Sequence, residues 1–320
     1  MLSLHSFFRW RVERTVNSWP RVIQRDIRQY LGLARKKFGA DVRLHGRRTD
    51  QPYWILLPFW LKEKLGRRNG VFRGKHFMDD ILWGQYCLFI FIRIQDDLFD
   101  RHTERSSLIY PSDLFLFEAE RVFSKYFHKA SAFWNIYRSC IVETILAITM
   151  GDSLERKPVR NRERLLSAHG RTSTICNVAP AALCLKAGRI RDFKRVSVFA
   201  TEMMKTGAIV DDLQDLEEDL ERGRFNYAAS FFLHGIRMKK SGKKIVRRQI
   251  VRNVLLSDGL TRLFQEINRH LDLAERSIKP IVVPAANKYL QSYRRSIAIM
   301  ENDIHRWRVR TIFGSRIGKM

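Results

Sequence analysis

The stretch Ile81–Gln95, "ILWGQYCLFIFIRIQ", constrains the chain more than any other. It carries a single charge, Arg93, and is apolar nearly all round. A helix of that kind is buried. It runs directly into three acids within five positions, Asp96, Asp97 and Asp100. On a helix these share one face, because Asp100 lies four residues from Asp96 and three from Asp97. Like charges at those spacings cost a few tenths of a kcal/mol per pair. An acidic cluster at the end of a buried helix calls for a cation, and ligands that are all oxygen point to a hard one such as Mg²⁺.

A second cluster follows an uncharged approach in "GAIVDDLQDLEEDLERGRFNY", residues 207–227. Asp211, Asp215 and Asp219 form an i, i+4, i+8 stripe; Asp212 and Glu218 stand at helical spacing from members of it. Two acidic helix ends could face each other across a cavity and form a two-sided site for several divalent ions. Mg²⁺ keeps positions open for water and phosphate oxygens. Arg171, Lys205, Arg222 and Arg224 are the basic side chains suited to a phosphate, with Tyr227 beside them. Carboxylates, divalent ions, phosphate and apolar walls together describe an enzyme acting on an isoprenyl diphosphate.

These motifs resemble those of class I isoprenoid synthases. "DDLFD" (96–100) is similar to the first aspartate-rich motif of trans-prenyltransferases, terpene synthases and squalene/phytoene synthases. "DDLQD" (211–215) resembles the second motif of the prenyltransferases, and "DLEEDLERGR" (215–224) resembles the D-x-x-E-D-x-x-x-G-R segment of squalene/phytoene synthases. "GRTSTICNVAPAALCLKAG" (170–188) is similar to the prenyltransferase helix that opens with Lys-Thr, with Arg171 in place of the lysine. "MGDSLE" (150–155) resembles the mid-chain Gly-Gln/Asp helix. The resemblance covers roughly residues 80–227.

Two motifs of the chain-elongating enzymes are not matched. "FRGKHF" (72–77) is a poor version of the Gly-Gly-Lys-Arg signature, and "RHTERSS" (101–107) replaces the Arg-Arg-Gly that follows the first motif. Both departures favour an enzyme with one substrate. The resemblance therefore implies a Mg²⁺-dependent terpene synthase. It would ionise an allylic diphosphate, C15 first and C20 next, to a hydrocarbon or alcohol. The alternative is condensation of isoprenyl diphosphates. About three Mg²⁺ ions are expected, with Mn²⁺ able to substitute. Asp96, Asp97, Asp100, Arg171 and Asp215 are the expected catalytic residues. Asp211, Asp212, Glu218 and Asp219 are further expected ligands, with two registers open. One uses 211, 212 and 215; the other uses 215, 218 and 219. Tyr86, Leu88, Phe89, Phe91 and Ile92 are the expected wall of the hydrocarbon pocket. Phe91 and Ile92 stand where the family's bulky residues limit chain length.

The pattern along the chain is helical throughout, without a period-2 run. Helices are expected at about 76–101, 112–128, 130–155, 163–188 with a kink at Pro180, and 190–222, then onward to the end. The expected fold is an all-α bundle of about a dozen helices around a central cavity. A basic helical arm (1–75) is expected to pack on a catalytic domain (76–320). The 320 residues, 45% hydrophobic, suffice for a sizeable core. Four cysteines in apolar stretches read as buried thiols of a reducing compartment. No uncharged run reaches the roughly 20 residues of a membrane span; a cytoplasmic protein is expected, with a homodimer among the assemblies open to it. The net charge of +26 invites contact with an anionic membrane surface. The rival from another class is a basic nucleic-acid- or membrane-binding helical protein without catalysis. No helix-turn-helix, zinc or RNA-binding signature supports specific nucleic-acid recognition, and two acidic clusters would repel phosphate unless filled by metal.

Overall fold

A computed structural model describes residues 4–41, 52–66, 72, 74, 76–99, 103–156, 162–233, 243–281 and 284–317. Among the described residues there are thirteen α-helices and no strand. No described helix is long and apolar enough to cross a membrane. The chain divides into two compact units, Met1–Val142 with Ile175–Phe193, and Glu143–Thr174 with Lys194–Met320.

The first unit is organised by the apolar stretch. It forms α4, Phe77–Phe99, after α1 (Leu4–Asn17), α2 (Arg21–Asp41) and α3 (Tyr53–Gly66). Its main partner is α5, Ile109–Ser124. Gly84 permits the close approach of the two. A Cβ there would lie 2.7 Å from Phe123 Cε2, closer than side chains tolerate. The indole of Trp83 donates to Glu118 at 2.9 Å across the same interface. Gln85 is buried and bonded at both ends of its amide: the nitrogen donates to the Ile175 carbonyl and the oxygen accepts from the Ala179 amide, each at 2.9 Å. This fastens α4 to the start of α8, Val178–Lys186. Asp80, near the opposite end of α4 from Asp96, gathers Arg11 of α1, Lys125 and the Tyr126 hydroxyl. The N-terminal helices thus belong to the same unit as α4.

The segment 163–188 is not one kinked helix. It breaks into α7 (Arg162–Thr172), a 3-10 turn at Ser173–Asn177, and α8. Pro180 accounts for the break. It lacks an N–H and clashes with the carbonyl four residues back, so it fits the first turn of a new helix rather than the middle of an old one. Gly188 has φ 64° just beyond α8, the left-handed conformation of a helix end.

The second unit holds the end of α6 (Phe133–Glu155), α7, and most of α9 (Ile190–Gln214). It continues with α10 (Leu216–Arg222), α11 (Lys243–Leu256), α12 (Gly259–Ile278) and α13 (Pro284–Ile317). In α12, Leu260, Leu263, Phe264, Ile267, Leu271, Ala274 and Ile278 are buried, the i, i+3, i+4, i+7 stripe of a helix against a core. Truncating one of the larger ones to alanine costs about 2–5 kcal/mol. Gly259 begins this helix beneath Phe232, where a Cβ would meet the ring at 2.7 Å. All four cysteines, Cys87, Cys140, Cys176 and Cys184, are buried free thiols.

Candidate active site

Asp96 and Asp97 form the last turn of α4, and both are held by the charge in the run before them. Arg93 Nη1 lies 3.4 Å from Asp96 Oδ2, and Arg93 Nη2 lies 2.9 Å from Asp97 Oδ1. These are the i+3 and i+4 positions on the helix. The other oxygen of Asp97 accepts a hydrogen bond from Tyr30 of α2, at 2.6 Å. Burial, and then this bond to an anion, pushes the Tyr30 hydroxyl well above its ordinary pKa. Asp100 lies outside the described residues.

In the second unit the expected acidic stripe is interrupted. The helix breaks at Asp215, so Asp219 stands on α10 while Asp211 and Asp212 end α9. The backbone stays nearly helical across the break: the amide of Asp215 donates to Asp211 and that of Asp219 to Asp215, at 2.8 and 2.9 Å. Asp211 and Asp215 are exposed, one turn apart. Asp212 points elsewhere. Its carboxylate accepts the Tyr227 amide at 2.6 Å. Burial drives its pKa well above the usual range, with Asp219 and Asp211 adding to the effect and the amides of Tyr227 and Ala228 opposing it. The side chain of Asn226 donates both to the Asp212 carbonyl and to Asp219, at 2.7 and 2.8 Å. Glu218 pairs with Arg222 at 2.6 Å on the surface. Gly223, at φ 75°, ends α10 as a left-handed cap.

The expected phosphate-binding side chains all hold carboxylates. Arg171 is bonded to Glu143, with one contact at 2.9 Å. Arg224 reaches Asp152 at 3.1 Å, where Arg156 also binds. Lys205 binds Glu202 at 2.8 Å. Glu202 continues to His270 Nδ1 at 2.5 Å, and His270 Nε2 to Glu266 at 3.2 Å. The Tyr227 hydroxyl reaches Glu266 at 3.5 Å. Beside Asp152, Glu155 has its pKa pushed up to about 7 by burial, against the lowering effect of His169 at 3.4 Å.

The residues expected to line the pocket divide in two. Tyr86 stacks on Phe8 of α1 with ring centres 4.3 Å apart, and Phe89 stacks on Trp54 of α3 at 4.5 Å. These two rings form an aromatic layer with the N-terminal helices. Leu88, Phe91 and Ile92 are buried. Reading the sequence missed Tyr30, Asp152, Asn226, Glu202 and His270. Asp152 lay in a recognised motif and Asn226 beside one; the others had no local signal.

Among the described residues, no three acidic, histidine or cysteine side chains converge as a ready-made metal cage. Mg²⁺ does not need one, since it is usually bound through one or two carboxylates together with substrate phosphates. Asp96 and Asp97, already holding a cationic guanidinium, fit that requirement.

No protein-family model and no curated protein matches the chain. Solved structures do. A polyprenyl synthase from Roseobacter denitrificans matches with a TM-score of 0.60 at 12% identity, over 87% of this chain and 99% of that one. A geranylgeranyl pyrophosphate synthase from Corynebacterium glutamicum matches with a TM-score of 0.61 at 13% identity, over 92% and 94%. The chain has the isoprenoid-synthase fold. At 12% and 13% identity the likeness is one of fold.

Proposed function

We propose that the chain is a Mg²⁺-dependent class I isoprenoid synthase that ionises an allylic isoprenyl diphosphate. One observation carries the reading: on an isoprenoid-synthase fold, the buried apolar helix ends in two carboxylates that already grip a cation, Arg93. Asp96 and Asp97, with Asp100, and the exposed Asp211 and Asp215 are the residues that would hold the ions. Asp219 and Glu218 belong to the other register. The chemistry Mg²⁺ supplies when bound is neutralisation of charge on the diphosphate leaving group.

The chain's own residues do the rest. Arg171, Lys205, Arg222 and Arg224 are charged donors oriented by Glu143, Glu202, Glu218 and Asp152. Exchanging those carboxylates for phosphate oxygens keeps charge-assisted hydrogen bonds throughout. The buried side chains Leu88, Phe91 and Ile92 offer an apolar surface for the hydrocarbon tail and exclude water from the carbocation. An aromatic face such as that of Tyr86 stabilises a cation by its quadrupole. Use of a single substrate, C15 first and C20 next, rests on the two unmatched chain-elongation motifs. A second reading, condensation of isoprenyl diphosphates, is favoured by the names of the two structural neighbours, a polyprenyl synthase and a geranylgeranyl pyrophosphate synthase. Homodimerisation, peripheral attraction to anionic lipid and a cytoplasmic location remain part of the proposal.

The test is incubation of the purified protein with C10, C15, C20 and C25 diphosphates, with and without isopentenyl diphosphate, followed by product analysis. Release of a terpene from C15 diphosphate alone supports the first reading. A longer diphosphate made only when isopentenyl diphosphate is present supports the second. No turnover under any condition, with selective nucleic-acid binding at physiological salt, overturns both.

A further inference from the structure

Tyr30 lies 67 positions before Asp97, on a different helix, yet its hydroxyl is 2.6 Å from Asp97 Oδ2. Both residues are buried, at 7% and 8% exposure. Tyr30 reaches this point because residues 21–32 of α2 bury one narrow stripe. Ile27, one turn earlier, is fully buried, and the flanking Arg28 and Gln29 are exposed. The opposite oxygen of Asp97 faces the guanidinium of Arg93 at 2.9 Å. One oxygen is therefore fixed by a neutral donor and the other faces a cation. A hydroxyl that only needed a buried partner could take any carbonyl. This one takes the side chain on which the proposed chemistry depends.

We infer that Tyr30 is a positioning residue for the first acidic cluster: it fixes Asp97 Oδ2, and so orients the carboxylate to receive a divalent cation on its other side. The inference rests on the reading of Asp97 as a metal ligand. It also assigns a role to the N-terminal helices beyond packing, since α2 contributes to the cluster at the end of α4. Partners that orient a ligand in this way change metal affinity by about 10- to 100-fold when removed.

The experiment is titration of the purified full chain with Mn²⁺, read by the loss of the free-ion electron paramagnetic resonance signal. Melting temperatures without metal are recorded in parallel. Four proteins are compared: wild type, Tyr30→Phe, Ile27→Val and Asp97→Asn. Tyr30→Phe removes one oxygen, and Ile27→Val loosens the same helix without touching Asp97. The expected result is Mn²⁺ binding about 10-fold weaker in Tyr30→Phe and unchanged in Ile27→Val, with Asp97→Asn weakest of all. Unchanged binding in Tyr30→Phe while Asp97→Asn loses it would overturn the positioning role and leave the metal reading standing. Equal weakening in Ile27→Val and Tyr30→Phe would overturn it too, by reducing it to helix packing. Full binding in Asp97→Asn would remove the metal reading and the inference with it.

Discussion

The backbone amide of Tyr227 donates to the carboxylate of Asp212 at 2.6 Å. An acid that the aspartate pattern marks as a ligand is thereby also the cap of the turn that follows α10. Its neighbours Asp211 and Asp215 are exposed. The two kinds of acid separate by stability. Asp212→Ala leaves the Tyr227 amide without its acceptor, and should cost about 1–3 kcal/mol. Asp215→Ala and Asp211→Ala, at exposed positions, should cost less than Asp212→Ala. Urea denaturation midpoints at pH 7 test this. If the metal reading holds, turnover falls in Asp215→Ala as well, although the fold is untouched.

Arg93 is the only charge in the apolar stretch and the counter-ion of both Asp96 and Asp97. Removing one partner of a buried charge cluster costs more than the cluster contributes, because the remaining charges repel and lack solvation. Arg93→Gln should lower the melting temperature by several degrees in chelator, equivalent to about 2 kcal/mol for partly exposed groups. Added Mg²⁺ should restore most of the loss, since a ligand that binds only the folded state stabilises it. Thermal melts with and without Mg²⁺ decide it: an equal loss in both conditions would mean that the aspartates serve Arg93 rather than an ion.

The fold was legible in the sequence wherever one signal governed one element. The all-round apolar run became α4, and the helical segment expected to end at 222 does end there, at Arg222. Reading failed where two signals competed. Over 163–188 the apolar pattern argued for one helix, but Pro180 lacks an N–H and crowds the carbonyl four residues back, and here the chain restarts. In the candidate site, the acids were visible because charge is rare in apolar surroundings. Their partners were not. Tyr30 comes from 67 residues away and His270 from 68 residues beyond Glu202. Nothing local distinguishes a tyrosine that meets a carboxylate from one that fills a core.

The chain from Lys205 through Glu202 to His270 gives the second unit a pH response. Burial raises the pKa of Glu202, but the hydrogen bonds from His270 and Lys205 outweigh it and hold the carboxyl below its ordinary value. The unfolded chain therefore takes up this proton at a higher pH than the folded one. Stability from the group is complete above the unfolded carboxylate value and is lost as pH falls through it toward the folded value. The contribution of Glu202 should decline below about pH 4.5. Glu202→Gln should lose about 3 kcal/mol at pH 7, because Lys205 and His270 lose their anion. It should also show a shallower decline in acid. A variant as stable as wild type at pH 7 would show that the contacts contribute little. Urea unfolding between pH 3 and 8 gives both quantities.

The proposed role of Phe91 in limiting chain length can be tested directly. Phe91 lies five residues before Asp96, about 7 Å along the axis at 1.5 Å per residue, and is buried together with Leu88 and Ile92. Of the aromatic residues expected to line the pocket, Tyr86 and Phe89 are stacked against Phe8 and Trp54. Under the proposed function, Phe91 is the aromatic residue of that set that would limit the depth available to a tail. Phe91→Ala removes a ring's volume from this wall. It should cost about 3–5 kcal/mol of stability if the space stays empty. It should also move the substrate preference from C15 toward C20 and C25 diphosphates, because a longer tail refills the space. Competition assays with equimolar diphosphates of each length measure the shift. A destabilised variant with an unaltered preference would mean that Phe91 packs against α5 rather than the substrate, and that another residue forms the floor.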